Sequence, residues 1–181
     1  MTRSPMTWGS FTPTFLDTLA EHIASRRVLE IFAGNGYLAS ELSRRGVDIH
    51  ATTLFSGHDG HEYGMHHAVE EIEASAAIQK YSAERDMLLM SWPVSTPDAT
   101  FAALRWGFDR PIIFIGEISN PDRGMFGGCA DDMFFEITRT VETLPDFEPR
   151  NMLEKALVLQ LDPEAIKKRM QSVPTMASRP F

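Results

Sequence analysis

The sequence predicts an α/β domain with a doubly wound, mostly parallel sheet. Short apolar runs at Val28 to Phe32, Val47 to Thr53, Met87 to Met90 and Ile112 to Ile115 are separated by segments with apolar residues at helical spacing. That alternation favours a parallel sheet covered by helices on both faces. The first run enters the turn Gly34-Asn35-Gly36 and then a helix, as phosphate- and nucleoside-binding α/β sheets do. With 181 residues, 43% hydrophobic and 23% charged, the chain is most simply one domain with a real core. Residues 1–25 read as an arm and a first helix, 26–162 as the α/β core, and 163–181 as a terminal helix and tail.

Each element has a local reason. Thr12 can cap a helix that has Pro13 in its first turn, and Phe15, Leu16, Leu19 and Ile23 form its apolar face. Beyond Gly36, Leu38, Ala39 and Leu42 give the stripe of a second helix that Gly46 stops. Ser56 to Gly64 is polar and glycine-rich, hence a loop. Val69, Ile72 and Ala76 predict a third helix with Glu70, Glu71 and Glu73 facing water. Thr96 and Pro97 open a fourth helix, with Phe101 and Leu104 inward and Gly107 at its end. After a long loop from Asn120 to Gly128, Met133, Phe134, Ile137, Val141 and Leu144 predict one long helix. Ala156 to Leu161 reads as a further strand, and Asp162-Pro163 starts the terminal helix.

Composition excludes several functions. A net charge of −8 argues against a broad basic surface for nucleic acid. One cysteine precludes an internal disulfide and fits a reducing cytoplasm. No long uncharged apolar stretch or apolar leader core is present, so neither membrane insertion nor secretion is expected. His58, His61, His66 and His67, with Asp59 and Glu62, fit no established metal-ligand spacing and read most simply as a solvated loop.

The glycine turn admits two cofactor classes. Gly34-Asn35-Gly36-Tyr37-Leu38-Ala39 fits the dinucleotide pattern G-x-G-x-x-A. Against a nicotinamide, Glu30 lies where a dinucleotide-binding strand is normally apolar, and Thr52 and Thr53 stand where the ribose-binding acid is expected.

The run Val28-Leu29-Glu30-Ile31-Phe32-Ala33-Gly34-Asn35-Gly36 resembles the first motif of the class I S-adenosylmethionine-dependent methyltransferases, in which an acid on the first strand precedes a glycine-rich turn. The chain is also similar to methyltransferase-like proteins that combine an A-G-N-G-Y turn, an S/C-W-P turn, an I-G-E strand end and a G-G-C-x-A-D-D-type segment. Here these are Ala33 to Tyr37, Ser91 to Pro93, Ile115 to Glu117 and Gly127 to Asp132. The resemblance implies a Rossmann-like methyltransferase fold with S-adenosylmethionine as cofactor. It implies that Glu30 helps hold the methionine end, that the backbone at Ala33, Gly34, Asn35 and Gly36 passes close to it, and that Ser91 and Trp92 lie beside the transferred methyl. The sequence departs from the pattern at Phe32, which takes the place of the first family glycine, and at Thr53, which replaces the ribose acid. A threonine makes one hydrogen bond where a carboxylate accepts two, and Asp59 in the following loop can substitute. Ser91-Trp92-Pro93-Val94 lacks the second proline and the following aromatic of the base-methylating motif, so a nucleic-acid base is not indicated as substrate.

Glu117, emerging from a buried strand at the ligand edge, is the candidate base; its structural alternative is a cap. Asp131 and Asp132 read as helix-opening acids, Cys129 as a thiol without a catalytic partner, and Trp8, Phe11 and Phe15 as an arm packed on the first helix or closed over the cofactor. The reading is methyl transfer to a small-molecule or protein acceptor. The alternatives are a non-catalytic binding module of the same fold and a nicotinamide-dependent oxidoreductase.

Overall fold

The computed structural model describes residues 9–55 and 61–172. The expectations for Trp8, His58, Asp59 and the last residues of the tail lie outside the described residues.

One seven-stranded sheet carries the molecule. Strands β1 (Val28–Ile31), β2 (Ile49–Thr53), β3 (Val69–Glu71), β4 (Met87–Ser91), β5 (Ile112–Glu117), β6 (Thr138–Thr143) and β7 (Glu154–Leu161) lie in the order β3-β2-β1-β4-β5-β7-β6. The first five are parallel, and β7 inserts antiparallel between β5 and β6. Helices α1 (Pro13–Ile23), α2 (Tyr37–Arg44), α3 (Ala74–Tyr81), α4 (Asp98–Trp106), α5 (Asp132–Ile137) and α6 (Pro163–Ser172) cover both faces. The period of two in each strand divides the core cleanly. Val28, Leu89, Ile113 and Val158 pack towards α1 and α2, while Leu29, Leu88, Phe114 and Leu159 pack towards α3, α4 and α5. Among the described residues no helix is long and apolar enough to cross a membrane.

Several elements form for the reasons their residues suggest. The Thr12 side chain accepts a hydrogen bond from the Phe15 N–H at 3.2 Å, a cap worth about 1 kcal/mol, with Pro13 opening α1. Leu38, Ala39 and Leu42 are buried on α2, as their spacing predicts.

Three elements differ from expectation. The third predicted helix splits into β3 and α3, because Glu73 is itself the N-cap. Its carboxylate accepts from the Ser75 and Ala76 N–H groups at 2.9 and 3.0 Å, leaving Ala76 exposed and Ala77 and Ile78 inward. The long helix after Met133 ends at Ile137 and becomes β6, where Thr138, Thr140, Val141 and Thr143 supply β-branched side chains that favour an edge strand. On α4 the inward face is Ala99, Ala102, Ala103 and Trp106, whereas Phe101 and Leu104 are exposed. Small residues let α4 approach α3 and the sheet closely, which leaves the large ones outside. Thr96 does not cap α4; its hydroxyl donates to Asp98 Oδ2 at 2.8 Å, and Pro97 stands at the cap position.

Candidate active site

The strand order reverses between β1 and β4, so the loops at their carboxyl ends diverge and leave a crevice. The residues around it are strained. Phe32 after β1 and Trp92 after β4 have φ of 60° and 48°, a left-handed conformation costing a bulky side chain about 1–2 kcal/mol. Packing holds both in place, for each ring leans on the buried core, Trp92 on both sides of the sheet. Such strain is concentrated at ligand edges.

The glycine turn is firmly tied. Ala33 N–H donates to the Thr52 carbonyl at 3.0 Å, and Gly36 N–H to the Ala33 carbonyl at 2.9 Å. Asn35 is buried, and its carbonyl accepts from the His66 N–H at 2.8 Å. Gly36, at φ +77°, has no room for a side chain: a Cβ would lie 2.8 Å from Val69 and 2.9 Å from His67. The segment entering β3 therefore crosses the turn. Gly36 serves that crossing as well as the helix start.

Glu30 points into a cavity of about 40 Å³ behind this turn, whose walls include Phe11, Gly34, Tyr37 and Ser91. It is 1% exposed, and among the described residues its Oε2 has no hydrogen-bond partner. Burial without a counter-charge pushes its carboxyl up to about 8. The cavity is roofed by the arm: a Cβ on Gly9 would lie 2.3 Å from the Trp92 ring, and Phe11 meets Trp92 edge-on at 5.8 Å.

Phe32 separates this chamber from a groove of about 600 Å³. One half of the groove is walled by Thr53, Leu54, Ile72 and Glu73 at the ends of β2 and β3; the other by Trp92, Asp98, Glu117, Cys129 and Arg150. Thr53 is buried, and its hydroxyl makes only a 3.5 Å contact with the Leu54 carbonyl.

Glu117 sits at the far end. Its Oε2 accepts from the Gly128 N–H at 2.8 Å and its Oε1 from the Asn151 amide at 3.1 Å. Gly127 makes this possible, since a Cβ there would meet the Ile118 and Glu117 carbonyl oxygens at 2.6 and 2.8 Å. Cys129 lies beneath: its Sγ accepts from the Glu117 N–H at 3.4 Å, and burial pushes the thiol up to about 11, which leaves it un-ionised at neutral pH. Asp131 caps α5 by accepting from the Phe134 N–H at 3.2 Å, the structural reading of that acid. Among the described residues no group of histidines, cysteines and acids is arranged to hold a metal.

The structure adds residues that sequence reasoning missed. The β6–β7 connection brings Arg150 and Asn151 to the groove, and Glu154, 1% exposed, holds Arg150 in place. Glu154 accepts from the Arg150 backbone N–H at 2.7 Å, from its Nε at 2.8 Å and from its Nη2. Burial alone pushes the Glu154 carboxyl up, but the hydrogen bonds and charge of Arg150 outweigh it and hold the group below its ordinary value. The available signal was an acid and an arginine four residues apart at the mouth of an apolar strand.

No family model matches this chain, and no curated protein sequence matches it. Solved structures do. A mutant of MtNAS in complex with S-adenosylmethionine superposes with a TM-score of 0.55 at 13% identity, covering 83% of this chain and 63% of that one. The present chain thus spans less than two thirds of MtNAS. A structure described for the conversion of a disulfide bond into a thioacetal group during echinomycin biosynthesis gives 0.52 at 13% identity, covering 94% of this chain and 91% of that one. A candidate tRNA methyltransferase of Streptococcus pneumoniae gives 0.51 at 12% identity, covering 92% and 91%. The fold is that of the class I methyltransferases.

Proposed function

We propose that this chain binds S-adenosylmethionine in the crevice and transfers its methyl group to a small-molecule or protein acceptor. The observation that carries the reading is the Glu30 carboxyl, buried in a chamber at the glycine turn with Oε2 unpartnered among the described residues. A buried carboxylate without a partner is costly and calls for a cationic or hydrogen-donating ligand. The ammonium at the methionine end of the cofactor is such a group. The space also suits it, because the chamber adjoins a groove of the size that takes a nucleoside.

Glu30 and the backbone around Gly34 and Asn35 hold the methionine end, and Thr53 offers one hydrogen bond to the ribose. Ser91 and Trp92 wall the transfer position, and Glu117 is the proton acceptor beyond them. The bound cofactor supplies an electrophilic methyl on a sulfonium. The protein aligns the acceptor and excludes water, which methyl transfer chiefly needs. The turn contributes less than a free glycine loop does, because the Ala33 and Gly36 N–H groups are already bonded within the protein.

One observation favours a second reading, a non-catalytic binding module: the chamber at Glu30 has only about 40 Å³ and is roofed by Gly9 and Phe11. Calorimetric titration with S-adenosylmethionine, S-adenosylhomocysteine and NAD separates the readings. Micromolar binding of the adenosyl ligands, lost in Glu30→Ala, is expected. Binding of none of the three favours the module, and preferential binding of NAD favours the oxidoreductase.

A further inference from the structure

The groove beyond Phe32 has a chemistry of its own. It adjoins the chamber in which Glu30 keeps a buried, unpartnered oxygen, so its standing as a ligand site does not rest on its charge. Its carboxylates are Glu73, Asp98 and Glu117, and among the described residues none of the three has a lysine or arginine within ion-pair distance. Among the described residues the one cation on the wall is Arg150, which lies 5.5 Å from the centre of the Trp92 ring and feels the charge of Glu117, but two side-chain bonds tie it to the buried Glu154, which offsets much of its charge. Phe32 and Trp92 add aromatic surface.

A cavity whose walls carry three carboxylates, none of them in a close ion pair among the described residues, and two aromatic rings selects for positive charge and against anions. We infer that the acceptor is an amine carried on an apolar body, with its nitrogen at Glu117. This inference rests on the methyltransferase reading and names its substrate class. Methylating such a nitrogen forms one N–C bond and breaks the donor's S–C bond, whose electron pair stays on sulfur. The nitrogen, bound as an ammonium, first gives one proton to the Glu117 carboxylate, which frees the lone pair that attacks the methyl; that carboxylate lies at the groove wall with each oxygen accepting a single hydrogen bond.

The test uses three probes of one shape: phenethylamine, 2-phenylethanol and 3-phenylpropionate. Their affinities for the full chain are read from protein NMR shifts, with and without S-adenosylhomocysteine. The amine is expected to bind at least about tenfold tighter than either of the others, a difference of about 1.4 kcal/mol. Glu117→Gln is expected to remove that preference and Asp98→Asn to reduce it, so misfolding of one variant leaves the other to decide. Equal affinities, tighter binding of the carboxylate, or a preference unchanged in both variants overturns the inference. Binding of S-adenosylhomocysteine is scored separately. Its failure alongside a retained amine preference counts against the cofactor and not against the amine site; its success without an amine preference counts only against the latter.

Discussion

Glu30 and Glu154 are both 1% exposed and stand at the same edge of the sheet, yet their surroundings are opposite. Glu154 spends both oxygens on Arg150, and its carboxyl lies below its ordinary value. Glu30 has an oxygen with no partner, and burial pushes its carboxyl up to about 8. The difference separates two uses of a buried acid. Glu154 builds the groove wall by fixing an arginine, whereas Glu30 lacks a partner that a ligand can supply. A protein that only needed a packed first strand would place an apolar residue at position 30, since the unpaired carboxylate lowers stability.

The largest expected effect of testing this contrast is at Glu30. Its folded value lies above its unfolded one, so between pH 4.5 and 8 the native state keeps a proton that the unfolded chain releases. Stability from this group therefore falls as pH rises through that window, by up to about 1.4 kcal/mol per pH unit, and levels off above it. Glu30→Gln is expected to stabilise the ligand-free protein by about 3–4 kcal/mol at pH 8 and hardly at all at pH 4, as urea denaturation at the two pH values will show. A variant that gains stability while losing ligand affinity marks a functional residue.

Arg150→Ala has the opposite sign. It strips Glu154 of its counter-charge and is expected to cost about 3 kcal/mol at neutral pH. Because the Glu154 carboxyl is held below its ordinary value, the lost stability is present above the unfolded carboxylate range and disappears as pH falls through the folded value. The wild type and the variant therefore converge in acid, whereas for Glu30 they diverge towards alkali. Gly36→Ala comes next, at about 2 kcal/mol, from its positive φ and the crowding of Val69 and His67; thermal unfolding will measure it. Glu70 gives the smallest effect. It accepts from Lys80 at 2.8 Å, from the Tyr81 hydroxyl and lies 2.9 Å from His50 Nε2, and these hold its carboxyl down at about 2. The network is accessible to water, so Glu70→Gln is expected to cost less than about 1 kcal/mol, and less again in high salt. A loss as large as that of Arg150→Ala would show that burial is not what distinguishes these acids.

Strands β1, β4 and β5 were legible in the sequence because each is a largely apolar run closed by a turn signal. Val28 to Phe32, Met87 to Met90 and Ile112 to Ile115 differ from β1, β4 and β5 by one or two residues at their ends. Glu30 was legible as well, since an acid within such a run has no packing reason. The edges were harder. The three residues of β3 are too few to show a period, and β6 carries exposed residues on both faces. Misreading β6 as helix hid the β6–β7 connection, and with it Arg150, Asn151 and the partnership with Glu154. The far side of the groove is assembled by tertiary contacts between β5, Gly128 and Asn151, which no local pattern announces.

The central claim is that Glu30 is a buried acid awaiting a cationic ligand, and its own titration tests this most directly. Carbon-13 NMR of the side-chain carboxyl, assigned with Glu30→Gln, reads its midpoint in the free protein and with saturating S-adenosylhomocysteine. The account predicts a midpoint near 8 in the free protein, falling to about 6 or below when the ligand's ammonium supplies the missing charge. An ordinary carboxylate midpoint in the free protein, or one that the bound ligand leaves unmoved, would contradict it.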